Sequence, residues 1–183
     1  MFTSRLIVSC LELFQMIIAS GLIVFVIYRV FVKANPDFDM EEEIHNGNVA
    51  VGILMGSIMI SGALLLQRGL DASIGAFRLA VVAPVEAALP LWQAGLLIIG
   101  HMTLTLAIAV LTISISLRAF GRMVRGLNAK MHLGKHLKEG NVAVGIILAA
   151  VVFIVTLYVG EGVSALTKAL VPQPHIGKIQ IMQ

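Results

Sequence analysis

The sequence predicts an all-α membrane protein with four transmembrane helices, and three observations lead to this prediction. The chain of 183 residues is 58% hydrophobic and only 13% charged, with a mean hydropathy of +0.97. Soluble domains carry about 25% charged residues, so this composition is typical of a chain surrounded by lipid. Four stretches are long and apolar enough to cross a bilayer, and one seven-residue segment occurs twice. Disorder, a disulfide scaffold and a compact soluble enzyme are excluded.

The four predicted spans carry little or no charge. They cover about residues 6–32, 48–66, 91–117 and 141–159. About 20 helical residues cross the hydrocarbon core, and helices are expected because lipid offers no partners for backbone N–H and C=O groups. The first span is too long for the apolar region of a signal peptide, so we expect it in the mature protein.

Residues 69–90, between the second and third spans, are harder to assign. Three charged residues interrupt this stretch, and Pro84 and Pro90 break it. We expect a helix lying in the interface, or a re-entrant segment, rather than a fifth crossing. The predicted division is a first repeat at 1–67, an amphipathic joint at 68–93 and a second repeat at 94–183 that ends in a polar tail.

The duplication is the most specific feature of the sequence. Gly47–Ile53 recurs letter for letter as Gly140–Ile146, at an offset of 93 residues. The flanks agree at the same offset, since Leu13 matches Leu106, Arg29 matches Arg122 and Asn35 matches Asn128. With four spans the two copies have the same orientation and form a parallel repeat. If residues 69–90 crossed the membrane, the copies would be inverted.

Small residues dominate the repeated motif. Glycine tolerates unusual backbone angles, and the asparagine that follows it can cap the next helix. Small residues four apart let helix backbones approach closely in lipid, either inside one chain or around an oligomeric centre or narrow pathway. The predicted packing motif comprises Gly47, Asn48, Gly52, Gly56, Gly140, Asn141, Gly145 and Ala149.

At this motif the chain resembles the YjfL-like bacterial inner-membrane proteins, which carry two tandem copies of a domain of unknown function. The resemblance rests on the duplicated Asn-x-Ala-x-Gly-Ile stretch after a polar loop and covers nearly the whole chain. It implies a bacterial inner-membrane protein with four helices and no assigned activity, and it transfers no catalytic residue. This chain differs in its longer joint and its longer basic second loop.

The loops within the two copies carry opposite charge. Glutamates fill positions 41–43 of the first loop, whereas the second loop is basic. The loops with most of the lysine and arginine are expected in the cytoplasm, which places both termini outside. The charged loops can be solvated, pair with each other, or bind anionic lipid. The residues predicted for lipid binding or loop pairing are Arg118, Arg122, Arg125, Lys135 and Lys138.

Polar groups inside the spans are functional candidates because they are costly in lipid. Glu12 and Gln15 lie in the first span and His101 in the third. Glu12 and His101 lie at similar depth and can form a proton site, or each can reach water near the headgroups.

No catalytic residue, metal site or cofactor is predicted. His132 and His136, with His45 of the companion loop, are weak metal candidates because Cys10 is the sole cysteine in the sequence and a clear helix is missing. Haem would need a second intramembrane histidine. No catalytic or phosphate-binding motif is present, and the pI of about 9.3 reflects the basic loop rather than nucleic-acid binding.

The predicted function is therefore that of a structural or accessory membrane subunit without catalysis. Such a subunit packs by its small-residue faces and joins a homo-oligomer or a larger membrane complex, with the lipid bilayer as its other partner. The alternative is an oligomeric pore or transport component for a small ion or solute.

Overall fold

The computed structural model describes residues 2–33, 39–82, 90–128 and 131–170, and these residues are almost entirely helical. No strand occurs among these residues. Four helices are long and apolar enough to cross a membrane, so the chain is a multi-pass membrane protein. The spans are Glu12–Val32, Val49–Asp71, Ile98–Leu127 and Val142–Leu166.

Six α-helices follow one another in the described part of the chain. They are α1 (Phe2–Ile27), α2 (Met40–His45), α3 (Val49–Val82), α4 (Leu91–Leu127), α5 (Leu133–Lys138) and α6 (Val142–Leu170). A π-helical segment, Tyr28–Lys33, continues α1. The short helices α2 and α5 occupy parts of the chain that the sequence predicts only as polar loops.

The helix α3 is longer than predicted. Residues 69–82 continue α3 without a break, so the predicted interfacial or re-entrant segment does not begin as a separate helix and stays a prediction. No proline lies within residues 69–82, and a glycine inside a helix costs only about 1 kcal/mol, so nothing in this stretch ends the helix. Residues 83–89 of the predicted joint and the predicted tail at 171–183 lie outside the described residues.

The helix α3 lies at the centre of the bundle. It packs most extensively against α6 and also contacts α1 and α4. In the most apolar 18-residue stretch of α3, 56% is buried inside the bundle. The corresponding share is 22% for α1 and α4 and 33% for α6. Val51 and Ile58 of α3 are buried in one cluster with Val152 of α6, and Leu65 of α3 is buried in a second cluster with Val163 of α6. The outer helices therefore present most of the apolar surface to lipid.

Two contacts show that α3 and α6 run parallel. At one end, the Asn48 side chain donates to the carbonyl oxygens of Leu137 and Lys138, directly before α6. At the other end, Arg68 of α3 pairs with Glu161 of α6. Both loop-to-helix junctions consequently lie at the same end of the molecule.

Candidate functional site

The two loop-to-helix junctions, which the motif analysis singled out, have matching backbone geometry. Gly47 has a φ of +79° and Gly140 a φ of +78°. This left-handed region costs an L side chain about 1–2 kcal/mol, so each turn requires a glycine. A matching set of backbone hydrogen bonds, displaced by 93 residues, closes the two turns.

The asparagine after each glycine caps the following helix. Oδ1 of Asn48 accepts from the Val51 N–H at 3.2 Å, and Oδ1 of Asn141 accepts from the Val144 N–H at 3.3 Å. These bonds satisfy backbone donors that the first turn of a helix leaves unpaired. The sequence-predicted capping residues therefore act as caps in both halves.

Asn48 also joins the two junctions to each other. Its Nδ2 donates to Oε2 of Glu43 at 2.9 Å and to the carbonyl oxygens of Leu137 and Lys138, each at 3.1 Å. These carbonyls belong to the last turn of α5, and the carbonyl of Leu137 also accepts from the Gly140 N–H at 3.1 Å. The side chain of Asn141 is exposed instead. Equivalent residues thus have different surroundings.

Gly145 of α6 lies against the backbone of Ala50 on α3. A methyl group on Gly145 would lie 2.6 Å from the carbonyl oxygen of Ala50. The two backbones touch here because neither residue carries a larger side chain. By contrast, a methyl group on Gly52 or Gly56 would meet nothing within 4 Å. Among the described residues, nothing therefore lies beside the Cβ positions of the GxxxG pair of α3, whereas Gly145 lies against Ala50 of α3 and Ala149 is buried.

An ion pair lies at the far end of the α3–α6 contact. Arg68 pairs with Glu161, and a methyl group on the neighbouring Gly160 would lie 2.8 Å from Cδ of Arg68. The side chains of Arg68 and Glu161 are 37% and 74% exposed. An ion pair this exposed contributes only about 0–1 kcal/mol, so it aligns the helices more than it stabilises them.

The predicted intramembrane polar residues lie on α1 and α4. Glu12 and Gln15 of α1 are half-buried, and His101 of α4 is 6% exposed. One turn after His101, Thr105 packs directly on Gly69 of α3, where a methyl group would overlap the threonine side chain. A proton site shared by Glu12 and His101 stays a prediction.

The predicted basic residues occupy two elements. Arg118, Arg122 and Arg125 are exposed on the last turns of α4, which runs past the predicted end of the third span. Lys135 of α5 lies 3.8 Å from Glu139, and Lys138 is exposed. This arrangement leaves basic side chains accessible at the end of the molecule where the two junctions meet.

The three histidines suggested as weak metal ligands do not converge. No group of three histidine, cysteine, aspartate or glutamate side chains suited to a metal occurs in the described part of the chain. Nδ1 of His136 lies 3.2 Å from Oε2 of Glu139. His132 precedes α5 at its N-cap position, and exposed His45 ends α2.

Two contacts were missed in the sequence analysis, although one left a signal. Arg68 and Glu161 are themselves separated by 93 residues, so the repeat offset pairs opposite charges at equivalent positions. The fit of Gly69 against Thr105 had no such signal, because the two residues lie on different helices with no periodic relation.

Comparison with known proteins gives one match. Neither the curated proteins nor the solved structures compared with the chain show a match. The family described as Domain of Unknown Function (DUF350) matches residues 2–163, which is nearly the whole chain. With the four membrane-spanning helices, this match assigns the chain to the DUF350 family.

Proposed function

We propose that the protein is a structural or accessory subunit of a membrane assembly, without catalysis. Its unit is a helical hairpin present in two tandem copies, α1–α3 and α4–α6, both embedded the same way up. The observation that carries the proposal is the direct backbone contact of Gly145 with Ala50. Such contacts hold helices together by dispersion in lipid, where no hydrophobic force acts between them.

The two-copy organisation is supported by the local structure. The helices α2 and α5 begin at Met40 and Leu133, and α3 and α6 begin at Val49 and Val142, so both pairs of starts differ by 93 residues. The capping and turn hydrogen bonds repeat with the same offset. One hairpin fold therefore accounts for both halves.

The expected location is the bacterial inner membrane, among the YjfL-like proteins of the family. The basic end of α4 and the two junctions would face the cytoplasm, because lysine and arginine near span ends favour that side. Exposed Arg118, Arg122 and Arg125 can then attract anionic lipid, at about 1 kcal/mol for each basic side chain.

The alternative function, a pore or transport component, has less support inside the bundle. A pathway needs polar groups that converge at mid-membrane. The hydroxyls of Ser57 and Thr156 instead donate to the carbonyl oxygens of Leu54 at 2.7 Å and Val152 at 2.8 Å, within their own helices. Ser61 is the buried hydroxyl without a partner among the described residues, and a single hydroxyl makes no pathway.

The purified chain in lipid vesicles tests the proposal. We expect ion and small-solute flux equal to that of empty vesicles, together with a particle larger than one chain in nanodiscs or mild detergent. Flux above the background that changes in a Thr156→Val variant would support the pore and contradict the proposal. A particle of one chain would contradict assembly.

A further inference from the structure

The faces that bury α3 and α6 against each other come from different sides of the repeated helix. On α3 the buried face contains Ala50, and on α6 it contains Gly145, which is equivalent to Gly52. Residues 50 and 52 point about 200° apart around a helix, at about 100° per residue. The contact between the two halves is therefore head-to-tail rather than two-fold symmetric.

The face that α3 buries is exposed on α6. Positions 50, 54, 57, 61 and 65 of α3 follow helical spacing and are all buried, with Ala50 and Leu65 each 0% exposed. Each position 93 residues later is exposed on α6. These exposed residues are Ala143, Ile147, Ala150, Ile154 and Tyr158.

The converse holds for the face that α6 buries. Gly145, Ala149, Val152, Thr156 and Gly160 are buried on α6. Their equivalents on α3 are exposed or only half-buried, namely Gly52, Gly56, Met59, Ala63 and Gln67. Within the chain, one face of α3 therefore packs against one face of α6. The equivalent of each buried face is open on the other helix. We call these two open faces the Gly52 face of α3 (Gly52, Gly56, Met59, Ala63 and Gln67) and the Ala143 face of α6 (Ala143, Ile147, Ala150, Ile154 and Tyr158).

Charge complementarity identifies what fits these two faces. Arg68 and Glu161 occupy equivalent positions and pair within the chain. Suppose that α6 of one copy packs against α3 of the next copy in the way that α3 packs against α6 within one chain. Glu161 of the first copy would then meet Arg68 of the next copy. The Glu161 side chain is 74% exposed and can accept a second guanidinium. The polar junctions match as well, because α2 is acidic and α5 is basic.

We propose that a second copy of this chain covers both faces, with the Ala143 face of α6 seated on the Gly52 face of α3 in the next copy. This inference rests on the proposed function and names its partner and geometry. In each such contact Asn141 lies where Asn48 lies inside the chain and donates to the carbonyl oxygens that end α2 of the next copy. Head-to-tail contacts of this kind close into a ring or continue as a row.

Cysteine cross-linking in native membranes tests the contact. In a Cys10→Ser background, Gly56→Cys and Ile147→Cys place thiols one turn beyond the Gly52–Ala143 contact. Gly56 is equivalent to Ala149, so this position accepts a small side chain. A disulfide needs Cβ atoms about 4 Å apart. We expect the double variant to form a ladder of covalent dimers, trimers and larger species, and two co-expressed single variants to form dimers only.

The matched control uses a face that is exposed in both halves. Ile18 and Leu111 are equivalent and are 50% and 58% exposed. An Ile18→Cys, Leu111→Cys double variant is therefore expected to stay uncrosslinked. Cross-linking between two copies of the Gly56→Cys single variant, or between two copies of the Ile147→Cys single variant, would show a two-fold contact and overturn the proposal.

Absence of cross-links in the Gly56→Cys, Ile147→Cys double variant would also overturn the proposal. The particle size then shows whether only the head-to-tail contact fails or the accessory-subunit function fails as well. A folded protein in a particle larger than one chain would leave the accessory-subunit function standing with another partner. A particle of one chain would remove both.

A bulky substitution gives a second test that leaves the fold of the chain intact. Ala150 is exposed on the chain, so Ala150→Phe is expected to keep helicity and lose the multi-chain particle. Ala107→Phe is the control, because the equivalent residue, Phe14, is already 63% exposed. A multi-chain particle that persists in Ala150→Phe would overturn the proposal.

Discussion

Identical residues at equivalent positions of this chain make different contacts. Gly145 lies against the backbone of Ala50, whereas Gly52 has the same sequence neighbours and faces open space. Asn48 bonds three groups beyond its own helix, whereas Asn141 caps α6 and is otherwise exposed. Such pairs separate the effect of a contact from the effect of residue type, because each variant has a matched partner in the other half.

The glycine pair gives the first prediction. Alanine raises helix propensity equally at both positions, so the difference between the two variants reports the contact alone. Gly145→Ala is expected to lower the free energy of unfolding by about 1–3 kcal/mol through overpacking. Gly52→Ala is expected to leave it unchanged or slightly higher. Reversible unfolding of the single chain in detergent measures both, and equal effects would contradict the α3–α6 contact.

At the scale of elements, the sequence predicts the four long helices but not their ends. Hydropathy falls at charged residues such as Arg68 and Arg118, yet a helix continues into water as long as its backbone bonds do. The helices α3 and α4 therefore run to Val82 and Leu127. The short helices α2 and α5 escaped prediction because six residues are too few to show a helical period.

Part of the candidate site could be predicted because that part depends only on local sequence. The turn glycines and capping asparagines act locally, and local sequence is what the repeat preserves. Which glycines contact another helix depends on tertiary packing, and Gly52 and Gly145 lie in the same heptapeptide. No reasoning from neighbouring residues can distinguish two identical segments, so only the structure shows which one packs.

The asparagine pair gives a prediction about how α5 is joined to α3. Aspartate caps a helix as well as asparagine does but cannot donate. Asn48→Asp loses the bonds to Leu137 and Lys138 and places a carboxylate beside Glu43, so stability should fall by about 1–3 kcal/mol. Asn141→Asp should change it by less than about 0.5 kcal/mol. Unfolding in detergent at neutral pH measures both, and equal losses would mean that the cap alone matters.

At the scale of the molecule, the proposed two copies of one hairpin would explain both the parallel course of α3 and α6 and their exposed faces. Two units in the same orientation bring both junctions to one end, where Asn48 links them. Because the two hairpins contact each other through different faces, the Gly52 face of α3 and the Ala143 face of α6 remain open, and these two faces are complementary to each other. In the proposed assembly, copies of the chain meet through the same kind of contact that joins α3 and α6 within one chain.

Labelling from each side of the membrane tests the shared orientation of the two hairpins most directly. Asn46 and Glu139 are exposed equivalents at the junctions, and exposed Trp92 begins α4 at the other end. In a Cys10→Ser background, a cysteine at 46 and one at 139 should react with an impermeant thiol reagent from the same side, which is the cytoplasmic side in the proposed orientation. A cysteine at 92 should react from the opposite side. Labelling of positions 46 and 139 from opposite sides would contradict the account.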